Sequence, residues 1–126
     1  MYVVIQRVQA VLTPDLLKPK YKNKTGVGGH CYAASEACFH LLGGKPAGWT
    51  PVVYSSNEGW THWWLRHEDG RICDPTADQF PYVFPYALGR GNGFLTKAPS
   101  KRASEIMKRI NSGLDNRLAL EPALEH

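Results

Sequence analysis

The chain has 126 residues and a net charge of +4, with 15 lysines and arginines against 11 aspartates and glutamates. That length suits one compact domain, residues 1–123, and leaves no room for two ordinary ones. With 43% hydrophobic and 21% charged residues disorder is not the default, and with no apolar run of membrane-spanning length and Arg7 lying inside the first apolar segment, neither an anchor nor a leader is expected.

Residues 2–12 are apolar enough for a strand or a short helix, and Pro14 and Pro19 then bracket a turn. The stretch KNKTGVGG, residues 22–29, is a loop by its glycines and polar residues. From Cys31 to Leu42 the residues Cys31, Ala34, Cys38, Leu41 and Leu42 recur at helical spacing, and GGKP stops the pattern. TPVVYS (50–55) and THWWLRH (61–67) predict strands, HEDG predicts a turn, and RICD (71–74) predicts the returning strand. Residues 81–93, rich in proline, glycine and aromatics, predict an irregular loop that packs its rings on the body. Residues 100–111 predict a last helix with Ser100 as its cap, an inner stripe of Ala103, Ile106, Met107 and Ile110, and Gly113 beyond its end. Helix first, then a small antiparallel sheet, then a C-terminal helix gives an α+β fold. The closing residues 124–126 look like the start of a vector-encoded tag.

Charge and cysteines narrow the chemistry. The basic residues concentrate in segments 18–24 and 97–117, which read first as solvated faces and only weakly as a nucleic-acid surface. Three cysteines without close pairing fit neither a disulfide framework nor a zinc knuckle, so a reducing, cytoplasmic setting is expected. A metal site drawn from His30, Cys31, His40, His62 and Cys73 lacks any CxxC or HxxxH spacing.

Cys31 differs from the other two cysteines by position. A thiol attacks as thiolate, and a helix N-terminus stabilises that anion through its free amides and partial positive charge. Gly28 and Gly29 let the backbone turn just ahead of it, and the Cys31 amide is placed to donate to an oxyanion. Cys38 has no such setting and reads as a small core residue. His62 needs a partner that fixes its tautomer, and Asp74 lies at hairpin distance. With a loop of Glu68, Asp69 and Gly70, Gly70 taking the left-handed position, His67 pairs with Arg71 and His62 lies opposite Thr76. His62, Trp64, Ile72 and Asp74 then share one face, and Asp74 is diagonal to His62. A four-residue loop would part them. The pair is expected on the face that looks at Cys31. Asp78 is the rival to Asp74. Gly29, His30, Trp60, Trp63 and Trp64 are expected to bind substrate, and Trp49 and Tyr86 are further candidates for the cleft wall.

A cysteine at a helix start, a histidine in a strand and an aspartate in the next strand resemble the papain-like superfamily. The stretch THWWLRHEDGRICDPT is most similar to its transglutaminase-like branch. The chain as a whole is also similar to small proteins encoded in phage and bacterial genomes. The resemblance covers residues 28–80 and departs from papain in lacking a glutamine shortly before the cysteine, so the side-chain half of an oxyanion hole has no assigned residue. Arylamine acetyltransferases share the triad order but need a longer chain for their cofactor.

The resemblance implies thiol-dependent acyl transfer on a protein or peptide, by Cys31, His62 and Asp74, with no cofactor or metal. Water as acceptor would make a peptidase, amidase or deamidase; an amine would make a transferase. The alternative is a non-catalytic binding module of the same fold acting on a protein or nucleic acid.

Overall fold

The computed structural model describes residues 1–13, 16 and 30–120. The turn expected between Pro14 and Pro19, the loop 22–29 with Gly29, the basic segment 18–24 and the terminal residues 124–126 lie outside the described residues. Helix α1 (Tyr2–Ala10) leads to helix α2 (Cys31–Leu41). Strands β1 (Trp49–Ser55), β2 (Thr61–His67) and β3 (Ile72–Cys73) follow, then the short strand β4 (Arg90–Gly91) and helix α3 (Lys101–Leu120). The sheet is antiparallel in the order β3-β2-β1-β4. The fold is α+β, as the pattern predicts.

Within residues 2–12, Tyr2–Ala10 form a helix, because the apolar residues repeat at three and four positions. Val8 is buried, with Val4, Ile5, Val11 and Leu12 packed against the same core. Helix α2 buries Ala33, Ala34, Ala37 and Cys38. Small residues on this face let α2 lie close to α3, whose Ala103, Ile106 and Ile110 complete the core with Leu65, Trp49 and Cys73 from the sheet. Glu36 is fully buried on α2, and its two carboxylate oxygens accept from Ser100 N at 2.8 Å and Ser100 Oγ at 2.6 Å. Ser100 Oγ in turn accepts from Ala103 N at 3.2 Å, the expected N-cap of α3. The start of α3 is thereby tied to the middle of α2.

Two predicted boundaries are corrected. Helix α3 does not stop before Gly113 but runs to Leu120. A mid-helix glycine costs only about 1 kcal/mol against alanine, and the next proline is Pro122. Residues 81–93 are not wholly irregular: they include the 3-10 turn Tyr86–Leu88 and the edge strand β4, whose register pairs Val52 with Gly91 and Val53 with Arg90. The expected ring packing is present, with Phe84 buried against Val52 and Trp64. Gly89 makes that closeness possible, since a Cβ there would overlap the Trp64 ring and Val52.

The two sheet faces have different linings. Leu65 and Cys73 face α2 in the main core. Alternation along the strands sends Val52, Trp64 and Ile72 to the other face, where Tyr54, Phe80, Phe84 and Tyr86 close over them.

Candidate active site

The hairpin geometry follows the sequence-level parity. His67 N donates to Arg71 O at 2.8 Å, Gly70 N donates to His67 O at 2.9 Å, and Gly70 has φ +97°. The ladder pairs Leu65 with Cys73 and Arg66 with Ile72. One step further brings Asp74 level with Trp64, so His62 and Asp74 are diagonal neighbours on one face; the expected pairing does not reach Thr76, because β3 ends at Cys73, short of the predicted 71–74, and Pro75 and Thr76 turn away into the 3-10 turn. Asp69 locks the turn by accepting from Arg71 N at 3.0 Å and Arg71 Nε at 2.8 Å.

His62 and Asp74 meet directly. His62 Nε2 lies 2.7 Å from Asp74 Oδ2, and neither side chain is accessible to any useful extent. Asp74 is held by two further donors, Tyr86 Oη to Oδ2 at 2.7 Å and Thr76 N to Oδ1 at 3.2 Å. A buried carboxylate with three donors is satisfied as an anion. Asp78, the rival, is exposed on the 3-10 turn Ala77–Gln79. Tyr86, expected as a cleft wall, lines a groove on this face and also serves as a donor. Burial and the Asp74 carboxylate push its phenol well up, so it keeps its proton through the neutral and mildly alkaline range.

Cys31 is the first residue of α2 and His30 is its N-cap. The thiol is half-buried, with Sγ 3.9 Å from Thr61 O at the start of β2. It is also near enough to the His62 ring to act on its charge. Because Asp74 occupies Nε2, the remaining ring nitrogen, Nδ1, is the one that can exchange a proton with sulfur. The ring is packed against Trp64, stacked at 5.4 Å between centroids, and against Phe80 at 4.8 Å and Phe84 at 4.7 Å. Burial among these rings opposes a charge on His62, but the hydrogen bond to Asp74 and the nearby Cys31 outweigh this, and the imidazole is raised to about 9.

The face expected for the pair is corrected. Cys31 begins the helix that covers Leu65 and Cys73, whereas His62 and Asp74 stand on the aromatic face with Trp64. Thiol and imidazole come near each other at the start of β2, where Cys31 Sγ lies beside Thr61 O.

The predicted binding residues divide. Trp60 is partly exposed, and its ring lies 5.9 Å from that of Phe80. Trp63 is half-buried between Tyr32 and Phe94, at 4.9 Å from Tyr32 and 5.6 Å from Phe94. Trp64 is fully buried and cannot touch a substrate, because the ring must fill the space beneath Gly89 and Phe84. Trp49 is core as well, packed with α2 and α3. His30 is buried and faces neither solvent nor the helix amides, to which it gives no side-chain cap bond. Cys38 and Cys73 are both buried; their mutual hydrogen bond and burial push the Cys38 thiol well above the ordinary range. Among the described residues no group of three or more His, Cys, Asp or Glu could hold a metal ion, and no helix is long and apolar enough to cross a membrane.

Sequence reasoning missed one member. Gln79 Nε2 lies 3.1 Å from His62 Nδ1 and 3.1 Å from Thr76 Oγ1. No periodicity marks it, because it is delivered by a 3-10 turn after the strand has ended. Its only sequence signal is position, five residues beyond Asp74 in DPTADQ. An open groove of about 480 Å³ begins beside it, lined in part by Asp78, Phe80, Tyr82, Val83 and Phe84.

Compared with known protein families, curated proteins and solved structures, the chain has no significant match.

Proposed function

We propose that the protein is a thiol-dependent acyl-transfer enzyme in which Cys31 is the nucleophile, His62 the acid and base, and Asp74 the group that orients the imidazole. One observation carries this reading: Asp74 takes His62 Nε2, leaving Nδ1 for a thiol that stands at the first residue of a helix. Nδ1 accepts the proton from Cys31 Sγ, and the thiolate adds to an amide or ester carbonyl of a protein or peptide. As the tetrahedral adduct collapses, the Nδ1 proton passes to the leaving amine or alcohol, and a thioester remains on Sγ. Water or a second amine, giving its proton to Nδ1, then releases the acyl group. Asp74 stays ionised and stabilises the imidazolium between the two steps. With three free thiols, a reducing cytoplasm in a bacterium or a phage-infected host is the setting proposed for this chemistry.

The test is alkylation by iodoacetamide from mildly acidic to neutral pH, read by intact mass and peptide mapping. Cys31 reacts faster than free cysteine and far faster than Cys38 or Cys73, and His62→Ala removes the advantage. Equal, slow reaction of all three thiols, unchanged by His62→Ala, would reject the enzyme. It would favour a binding module of the same fold, for which the groove and its exposed Tyr82 and Val83 are the specific support.

A further inference from the structure

Two atoms decide what can happen at His62 Nδ1: the thiol of Cys31 and the side-chain amide of Gln79. Gln79 is not a loosely placed neighbour. Its backbone N donates to Thr76 O at 3.1 Å, closing the turn that aims the side chain back at the sheet. The same amide head meets both Nδ1 and Oγ1 of the fully buried Thr76, the N-cap of the turn that carries Gln79. Among the described residues, the titratable groups facing the ring are Cys31 from α2 and Asp74 from the end of β3, with Tyr86 behind Asp74; the rest of its surroundings are aromatic.

A carboxamide has a donor and an acceptor at nearly equivalent positions, exchanged by a half-turn of its last torsion. With the NH2 toward the ring, Gln79 donates to the Nδ1 lone pair of neutral His62 and to Thr76 Oγ1. With the oxygen toward the ring, it accepts from the Nδ1–H of the imidazolium and from the Thr76 hydroxyl, which needs only to rotate. In both arrangements His62 Nδ1 and Thr76 Oγ1 keep a partner. A lysine there would oppose the cation, and an aliphatic side chain would leave Nδ1 with only the thiol to turn to.

Building on the acyl-transfer reading, we propose that Gln79 is a positioning residue for His62, holding the imidazole in place in both protonation states by turning its amide as the proton passes between Cys31 and Nδ1. Of the two states the imidazolium gains more, because a hydrogen bond from a charged donor is about twice as strong as a neutral one. Gln79 therefore favours the thiolate–imidazolium pair, while still offering a partner to the neutral ring after the proton has left.

The experiment is an NMR titration of the His62 ring nitrogens in the full chain, alongside the pH profile of Cys31 alkylation, for wild type, Gln79→Glu and Gln79→Met. Gln79→Glu, whose carboxylate only accepts, raises the His62 titration by about one pH unit. Gln79→Met, of similar size and with neither donor nor acceptor, lowers it. Circular dichroism and thermal melts show that each variant is folded. Folded variants whose His62 titration coincides with that of wild type, or shifts in the same direction for both, would overturn the proposal. If the titration moves as expected while Cys31 alkylation is indifferent to His62→Ala, Gln79 governs the imidazole as inferred and it is the acyl-transfer reading that fails.

Discussion

The two faces of β2 are built from alternate residues of one strand, yet they do different work. Leu65 points into the main core, packed with small residues of α2 and the stripe of α3. His62 and Trp64 point the other way, under Phe80, Phe84 and Tyr86, where a carboxylate and an imidazole are hydrogen-bonded out of water. The helix face supplies cohesion through shape. The aromatic face combines the same exclusion of water with planar rings, which surround a histidine without competing for its nitrogens. A buried ion pair is sustained there because every Asp74 contact is a donor and the ring has partners on both nitrogens.

The comparison is broken most directly by truncating one residue on each face. Trp64→Ala is expected to cost about 3–5 kcal/mol and Leu65→Ala about 2–5 kcal/mol in urea unfolding. The losses overlap, but the reactivity does not: Trp64→Ala also slows Cys31 alkylation, since His62 loses the ring stacked on it, whereas Leu65→Ala leaves the rate within about twofold if folded. Equal effects on reactivity would show that the faces are not separable.

Next in size is the pH dependence of stability. His62 is raised from its ordinary 6.5 to about 9 in the folded protein, so its stabilising contribution is complete below pH 6.5 and is lost as pH rises through 9. The difference corresponds to about 3 kcal/mol. Urea denaturation from pH 6 to 10 is expected to show this decline in wild type and a flatter curve in His62→Ala. A wild-type curve as flat as the variant's would contradict the buried pair.

Glu36→Ala tests the helix face at a buried carboxylate. It removes the acceptor for Ser100 N and Oγ and is expected to cost about 2 kcal/mol. Alkylation of Cys31 is unaffected, because α2 begins five residues earlier and the lost contact lies at α3. The smallest change expected is Tyr86→Phe, which removes one of three donors to Asp74 at a cost of about 1 kcal/mol. Unlike Glu36→Ala it alters the pH profile of Cys31 labelling, since the carboxylate that supports His62 loses a partner.

Much of the site was legible because its geometry is local. A three-residue loop ending in a left-handed glycine sets the hairpin register, and register parity alone places His62 and Asp74 on one face. The helix start at Cys31 was equally readable from the break between glycine-rich loop and apolar repeat. Glu36 was not: at one position on a helix a carboxylate reads as solvent-facing, and only the approach of α3 makes it a cap. Trp60, Trp63 and Trp64 look alike in a string of aromatics, and strand alternation together with the layer above each one decides which is buried.

The sequence by itself determined the α+β class, the hairpin and the candidate nucleophile, because turn chemistry, period and capping act over a few residues. Only the tertiary structure decided that thiol and imidazole come near each other at the start of β2 and not across the face of the sheet. It alone brought Gln79 and Tyr86 to the same pair. Those contacts depend on how the chain after β3 folds back over the aromatic face, and that path is set by packing between distant segments, which no local spacing encodes.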